Sequence, residues 1–294
     1  MFKRLISIVT IIILLGFSSI SLAQNEPTGL WSLGVANDSF FDQDRGYTSG
    51  LNIAFTPNNA AYTLSIGQDI FTPETRSTLQ PPGGEHPYAA WLYLKGDYRY
   101  SISPTLLITS SLSLGTTGKR AQGEEFQNFA HQVLNFNEYE GWDSQISQRW
   151  GWIAIAQAEW LLPIVTKTTI GVDLITMGQV RGGNIHVDGE LGATIRVGYH
   201  LPQLEARKRL AVTNSFYITL TGNRKIVDKN VFLEGVSNSD YHVTPKRGVN
   251  TLSCGAHWLH GAYQVDLDFY FPEKEFNGQQ YTNSYGLLRL SYWY

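Results

Sequence analysis

The chain stops on LLRLSYWY, where Leu288, Leu290, Tyr292 and Tyr294 alternate with Arg289, Ser291 and Trp293. A period of two puts these sets on opposite faces of a strand. An ordinary amphipathic strand reads the same way, so the other end of the chain must be weighed with it. There MFKRLISIVTIIILLGFSSISLAQ combines basic Lys3 and Arg4, an apolar run from Leu5 to Phe17, and small Ser21 and Ala23. That is the make-up of a secretory signal cut near Ala23. Residues 1–23 are set apart on this reading, and 24–294 form the mature chain. No second apolar run reaches the roughly 18 residues that a membrane helix needs. Such a chain either leaves the membrane or crosses it with strands.

Composition favours crossing. Aromatic residues make up 13% of the chain and charged residues 16%, with 16 Tyr, 14 Phe and 8 Trp, while mean hydropathy is slightly negative. Alternating apolar and polar faces with aromatic girdles give an outer-membrane barrel this mixture. A secreted β-sandwich shares it, but the final aromatic strand resembles the signal that marks bacterial outer-membrane barrels, so the barrel-assembly machinery is an expected partner. The single Cys254 forms no internal disulfide. A net charge of −3 carries no nucleic-acid signature. No low-complexity tract or linker divides the chain, which reads as one domain and a monomer.

The strands follow from turn residues as much as from period. They are placed at Trp31–Asn37, Tyr47–Thr56, Ala61–Phe71, His86–Ser101, Leu106–Leu114, Trp150–Leu162, Thr168–Val180, Ile185–Tyr199, Ser215–Lys225, Gly248–Leu259, Ala262–Phe271 and Ser284–Tyr294, with the stretch from Arg224 to Pro245 the hardest to place. An all-β, transmembrane antiparallel β-barrel of about 12 strands results. Its connections alternate between short turns and long polar loops, and the long ones belong outside the cell. These are 38–46, 72–86, 115–147, 181–184, 226–247 and 272–283.

One loop breaks the strand pattern. In GTTGKRAQGEEFQNFAHQVLNFNEYEGW (115–142), Phe126, Phe129, Ala130, Val133 and Leu134 fall at the spacing of one helical stripe. A helix is expected over about 122–136, with Glu124 and Glu125 favourably placed in its first turn. Gln127 and His131 are i and i+4, one above the other at the edge of the stripe. The expectation is that this helix lies across the outer mouth of the barrel.

Asn37 and Asp38 close the first strand, and the next loop adds Asp42 and Asp44, oxygen donors that suit a hard cation. The loop's DQDRG lacks the spaced ligands and closing glutamate of an EF-hand, so that motif is rejected. A solvated turn would account for these residues, and a packing role would account for His131. Asn37, Asp38, Thr48, His86, Gln127 and His131 nonetheless fall in or beside connections of the same barrel end, an arrangement that resembles a site.

The blocks VANDSFFDQDRGYTSGLNIAF, EHPYAAWLYL, LGTTGKRAQGEEFQNFAHQVLNFNEYEGWDSQI, GGNIHVDGELGATIRVGY, IVDKNVFLEG, EKEFNGQ and SYGLL occur in order almost end to end. In these blocks the chain resembles the calcium-dependent lipid A 3'-O-deacylases of the outer membrane. The resemblance implies a twelve-stranded barrel whose loop helix closes over the site. It matches Asn37 and Asp38 to the pair at the calcium and active site, Thr48 to the threonine of the family's YT-x-G motif, His131 to the catalytic histidine, and Gln127 to the glutamine one turn before it.

Two departures stand out. His86 precedes PYAA where the family places Lys or Arg before PYAG, making substrate help there weaker or pH-dependent. The family's glutamate beyond the histidine has no unambiguous counterpart here: Glu138, taken as a metal ligand, and Glu140 are candidates, and Asn137 is the other residue for that position. The implied reaction removes the 3'-linked acyloxyacyl group from lipid A in the outer leaflet, using Ca²⁺ and a water activated by neutral His131. Lipopolysaccharide is then the substrate, and His86, Phe126, Phe129 and Trp142 are expected to bind it; Trp150 and Trp152 read more simply as interfacial belt. An outer-membrane phospholipase, a non-catalytic pore or adhesin, and a soluble secreted β-protein are the rival readings.

Overall fold

The computed structural model describes residues 28–134, 137–165, 169–204 and 214–294. The signal segment and Thr168 lie outside them. Twelve antiparallel strands close into one barrel: β1 (Gly29–Asn37), β2 (Gly46–Pro57), β3 (Tyr62–Thr72), β4 (Ala89–Ser103), β5 (Leu106–Thr117), β6 (Trp150–Val165), β7 (Ile170–Gly183), β8 (His186–Tyr199), β9 (Asn214–Asn230), β10 (Gly248–His260), β11 (Tyr263–Pro272) and β12 (Tyr285–Trp293). Each pairs with its neighbours in sequence. β1 then closes on β12, in a register from Leu30 opposite Trp293 to Asn37 opposite Gly286. The terminal alternating strand is what joins the two ends of the sheet.

Several strands differ in extent from the sequence reading. β4 begins at Ala89 and not at His86, because Pro87 brings no amide hydrogen to a ladder. β9 runs on to Asn230, where it still pairs with His186 of β8, and so supplies the segment that was hardest to place. It ends in a single helical turn, α2 (Val231–Glu234), capped by the Asn230 side chain, whose Oδ1 accepts from Phe232 N at 3.1 Å.

Alternation sorts the wall into two surfaces. Leu64, Ile66, Leu94, Leu112, Leu114, Ile218 and Leu220 are exposed on the outside, whereas Asp69, Lys95, Asp97, Arg99 and Arg289 line a cavity of about 460 Å³ inside. An apolar exterior around a polar interior is the inverse of a water-soluble fold and marks a surface solvated by lipid. Exposed aromatics lie near both rims, Trp150 and Trp152 at the end carrying the long loops and Trp31, Trp160, Phe216 and Trp258 at the other.

The loop end is packed. Phe232 of α2 stacks on Phe71 at 4.8 Å and joins Ala89, Trp91, Ile146, Ile153, Ile185 and Val231 in an apolar plug. Leu233, Val243 and Phe276 extend it. Asp240 ties the plug to the loop before β6, accepting from the amide and hydroxyl of Ser147 and from the amides of Val236 and Ser237. These donors hold its carboxyl below the usual range, although partial burial opposes them.

The helix α1 (Gly123–Leu134) forms within the expected 122–136 span, and 135–136 lie outside the described residues. Its position is a correction. Gln68 and Ala90 share the outward faces of β3 and β4 with the lipid-facing Ile66 and Leu94, and these are the residues that receive the helix. Gln68 Nε2 donates to Ala121 O at 2.6 Å and to Gln122 O at 3.2 Å. A Cβ on Gly123 would come within 2.6 Å of Ala90 Cβ and 2.7 Å of the Trp142 ring, so only glycine permits this approach. The helix therefore lies against the outer wall beside the mouth. The mouth itself is filled by the plug.

Candidate active site

The site grows from the top of β1. Asn37 leaves the strand in extended conformation and caps a short 3₁₀ turn over Asp38–Phe41, its Oδ1 accepting from Ser39 N at 2.8 Å. Its Nδ2 donates to Thr48 O at 2.9 Å, which joins the end of β1 to a bulge in β2 between Tyr47 and Ser49. The bulge re-aims Thr48. Its hydroxyl lies 2.6 Å from that of Thr72, and both residues are buried. Asp38 is 1% exposed, and its Oδ2 accepts from Arg45 N at 2.5 Å, closing the turn. Burial and then the nearby Asp44 carboxylate push the Asp38 carboxyl well above the usual range.

Asp44 links this turn to the helix. Its Oδ2 lies 2.6 Å from Arg76 Nη2 and 3.6 Å from His131 Nε2, while its backbone oxygen accepts from Tyr139 Oη at 2.7 Å. Burial raises its carboxyl, opposed by the charges of Arg76 and His131. The Tyr139 ring packs against the imidazole at 5.6 Å, and the Arg76 guanidinium lies over the Tyr139 ring at 5.3 Å from its centre. On the far side of His131, Nδ1 is 2.6 Å from Asn137 O. A backbone carbonyl only accepts, so Nδ1 carries a hydrogen and the ring is oriented with Nε2 facing Asp44. Asn37, Asp38, Thr48 and His131 are thus brought into one contiguous cluster through Asp44, Thr72 and Tyr139.

The other expected site residues divide. Gln127 is buried one turn before His131, where its Oε1 accepts from Trp142 Nε1 at 2.9 Å. Trp142, expected to line a substrate groove, is 1% exposed and packs with Ile70, Tyr88, Ala90, Ala121 and Tyr139, and Phe126 lies half-buried against the same group. Phe129 points outward and is 65% exposed. His86 is on the plug side: it stacks on Phe71 at 5.1 Å, meets Phe276 edge-on, and directs Nδ1 to Pro87 O at 2.7 Å. Burial lowers its pKa to about 4. It packs as a neutral aromatic ring, which departs from the expected substrate-binding role. Glu138, expected as a metal ligand, is exposed and accepts from Gln132 Nε2 at 3.0 Å.

Sequence reasoning read Asp44 only as an oxygen donor for a cation, and assigned no role to Arg76 or Tyr139. Asp44 had a signal in the acidic DQDRG loop. Arg76 sits in an aperiodic Pro- and Gly-rich loop and had none.

The turn has the donor chemistry of a calcium site. Ser39 Oγ, Gln43 Oε1 and Asp44 Oδ1 are buried oxygens without a hydrogen-bond partner among the described residues, and the neighbouring Asp44 carboxylate raises the cost of ionising Asp38. Oxygen-rich, donor-poor and negative surroundings match a hard cation. Among the described residues no three His, Cys, Asp or Glu side chains cluster as a ready-made site, so amide, hydroxyl or main-chain oxygens would have to complete the set.

Residues 8–294 match the family model described as "Outer membrane protein LpxR". No curated protein matches the chain in sequence. Among solved structures, LpxR from Salmonella typhimurium is similar in fold, with a TM-score of 0.80 and 22% identity over 90% of this chain and 100% of that one. The β domain of the Bordetella autotransporter BrkA gives a TM-score of 0.49 and 11% identity, over 92% of this chain and 100% of that one.

Proposed function

Since this chain belongs to the family of the outer membrane protein LpxR, we propose that it is a lipid A 3'-O-deacylase whose loop end faces the cell exterior, hydrolysing the ester that holds the 3' acyloxyacyl group. The observation that carries the reading is the placement of an oriented imidazole, His131, beside Asp44 on the lipid-facing wall of the barrel. An ester in the outer leaflet reaches that wall without entering the lumen. Exposed Phe129 and Val133 on α1 offer apolar contact to acyl chains there.

The residues supply an order of events. His131 Nε2 takes a proton from water, while Nδ1–H on Asn137 O holds the ring in the competent tautomer. The hydroxide adds to the acyl carbonyl carbon. Asp44, 3.6 Å away, stabilises the imidazolium that forms. The imidazolium then returns the proton to the departing sugar oxygen as the carbon–oxygen bond breaks, leaving a free acyloxyacyl acid and a sugar hydroxyl. Calcium held by Asp44 and the oxygens of the 37–45 turn, with Asn37 and Asp38 shaping that turn, would supply Lewis-acid polarisation of the carbonyl.

Purified protein incubated with lipid A and followed by mass spectrometry should release the 3' acyloxyacyl group, and a calcium chelator should stop the release. Intact lipid A in the presence of calcium would overturn the reading. Cleavage of phospholipid instead would support the phospholipase alternative.

A further inference from the structure

Resting on the reading of Gln127 and His131 as parts of one hydrolytic site, we infer that Trp142 is a positioning residue that sets which way the Gln127 amide faces. An indole N–H can only donate. The atom it meets at 2.9 Å must therefore be the amide oxygen, which turns the NH₂ group away from the indole. That NH₂ is buried and has no hydrogen-bond acceptor among the described residues, although Gln127 as a whole is only 3% exposed. A buried donor pair without an acceptor, held one helical turn from His131, is suited to an oxygen that arrives with the substrate: the carbonyl oxygen as it gains negative charge.

Trp142 is itself held on several sides. Its backbone oxygen accepts from Gln145 N at 3.1 Å and Gln145 Nε2 at 3.0 Å, its ring lies 5.2 Å from that of Tyr88, and Gly123 leaves no room between ring and helix. The indole cannot swing aside without moving α1, so the amide has one orientation.

The test compares steady-state lipid A deacylation by wild type, Trp142→Phe, Gln127→Glu, Gln127→Ala and the Trp142→Phe/Gln127→Ala double variant, each checked for folding by heat-modifiable migration. Phenylalanine keeps the ring and removes the donor. Trp142→Phe is expected to lower kcat about tenfold with KM within about twofold and an unchanged pH profile. Gln127→Glu keeps an acceptor for the indole but has no hydrogen to offer, and is expected to lose about a hundredfold in kcat. In the Gln127→Ala background, Trp142→Phe should cost less than about twofold, since its effect passes through the amide. Full kcat in Trp142→Phe would overturn the inference, as would an equal loss with and without Gln127, which marks a structural role. Should Trp142→Phe not fold, wild-type kcat in Gln127→Glu would overturn it equally. Failure of the deacylase reading shows separately, as wild type that leaves lipid A intact.

Discussion

Two buried histidines sit at the same end of this barrel and do opposite things. His131, on the outer wall, has an oriented Nδ1 and a carboxylate beside Nε2. His86, in the plug, lies flat on Phe71 and has been pushed out of the physiological titration range by burial. The residue type is shared, so the difference lies in what surrounds it: the outer wall collects charged and oxygen-bearing groups under α1, while the mouth collects aromatic rings. A barrel end can thus hold a reactive surface and an inert stopper side by side, separated by one thickness of sheet.

The largest expected break in that comparison comes from His131→Ala, which should lower lipid A deacylation by about a thousandfold by removing the general base, whereas His86→Phe should leave it within about twofold. The two variants measured together in one assay separate the regions.

The next is a matter of stability. The fold depresses the His86 pKa to about 4 from about 6.5 in the unfolded chain, so the unfolded state takes up the proton first as pH falls. Stability should therefore be full above about pH 6.5 and decline toward pH 4, by at most about 3 kcal/mol. Unfolding followed by heat-modifiable migration across that window should show the decline in wild type and its loss in His86→Phe.

A smaller effect sharpens the chemistry of the outer wall. Asp44→Asn keeps the shape but removes the charge facing His131 Nε2, and kcat should fall about thirtyfold with more calcium needed for half-maximal activity. Smallest is Asp240→Asn, which weakens the acceptor that ties plug to loop. It should cost about 1 kcal/mol, with little change in kcat. Because the folded Asp240 carboxyl is held below its ordinary range, that contribution is present above about pH 4 and is lost as pH falls further. The pH dependence of unfolding in this variant and wild type checks the sign.

The barrel was legible because period and turn chemistry act locally. Leu288 to Tyr294 announced a two-faced strand, and the same strand seals the sheet against β1. The helix was legible from the stripe of Phe126, Phe129 and Ala130. Its seat was not: whether a helix covers a mouth or leans on a wall depends on Gly123 meeting Ala90 and on Gln68 reaching Ala121 O, contacts between segments that no local pattern encodes. The same limit explains Trp142. Its place at the edge of an amphipathic loop suggested a lipid groove, yet tertiary packing buried it and gave its N–H to Gln127. His86 looked like a substrate ligand in sequence because parity along a chain does not say on which side of the sheet a loop will fold. Asp44 was visible as an acidic loop residue, but its pairing with His131 from the helix and with Arg76 from an aperiodic loop arises between segments far apart in the chain.

The most direct test of a reactive outer wall beside an inert mouth is to locate the cation. Anomalous diffraction from crystals soaked in a lanthanide, which takes calcium's oxygen ligands, should place one ion about 2.3–2.6 Å from oxygens of the 37–45 turn including Asp44, on the lipid-facing side next to His131. An ion found instead in the lumen, among Asp188 and Glu275, with none at the turn, would contradict the account.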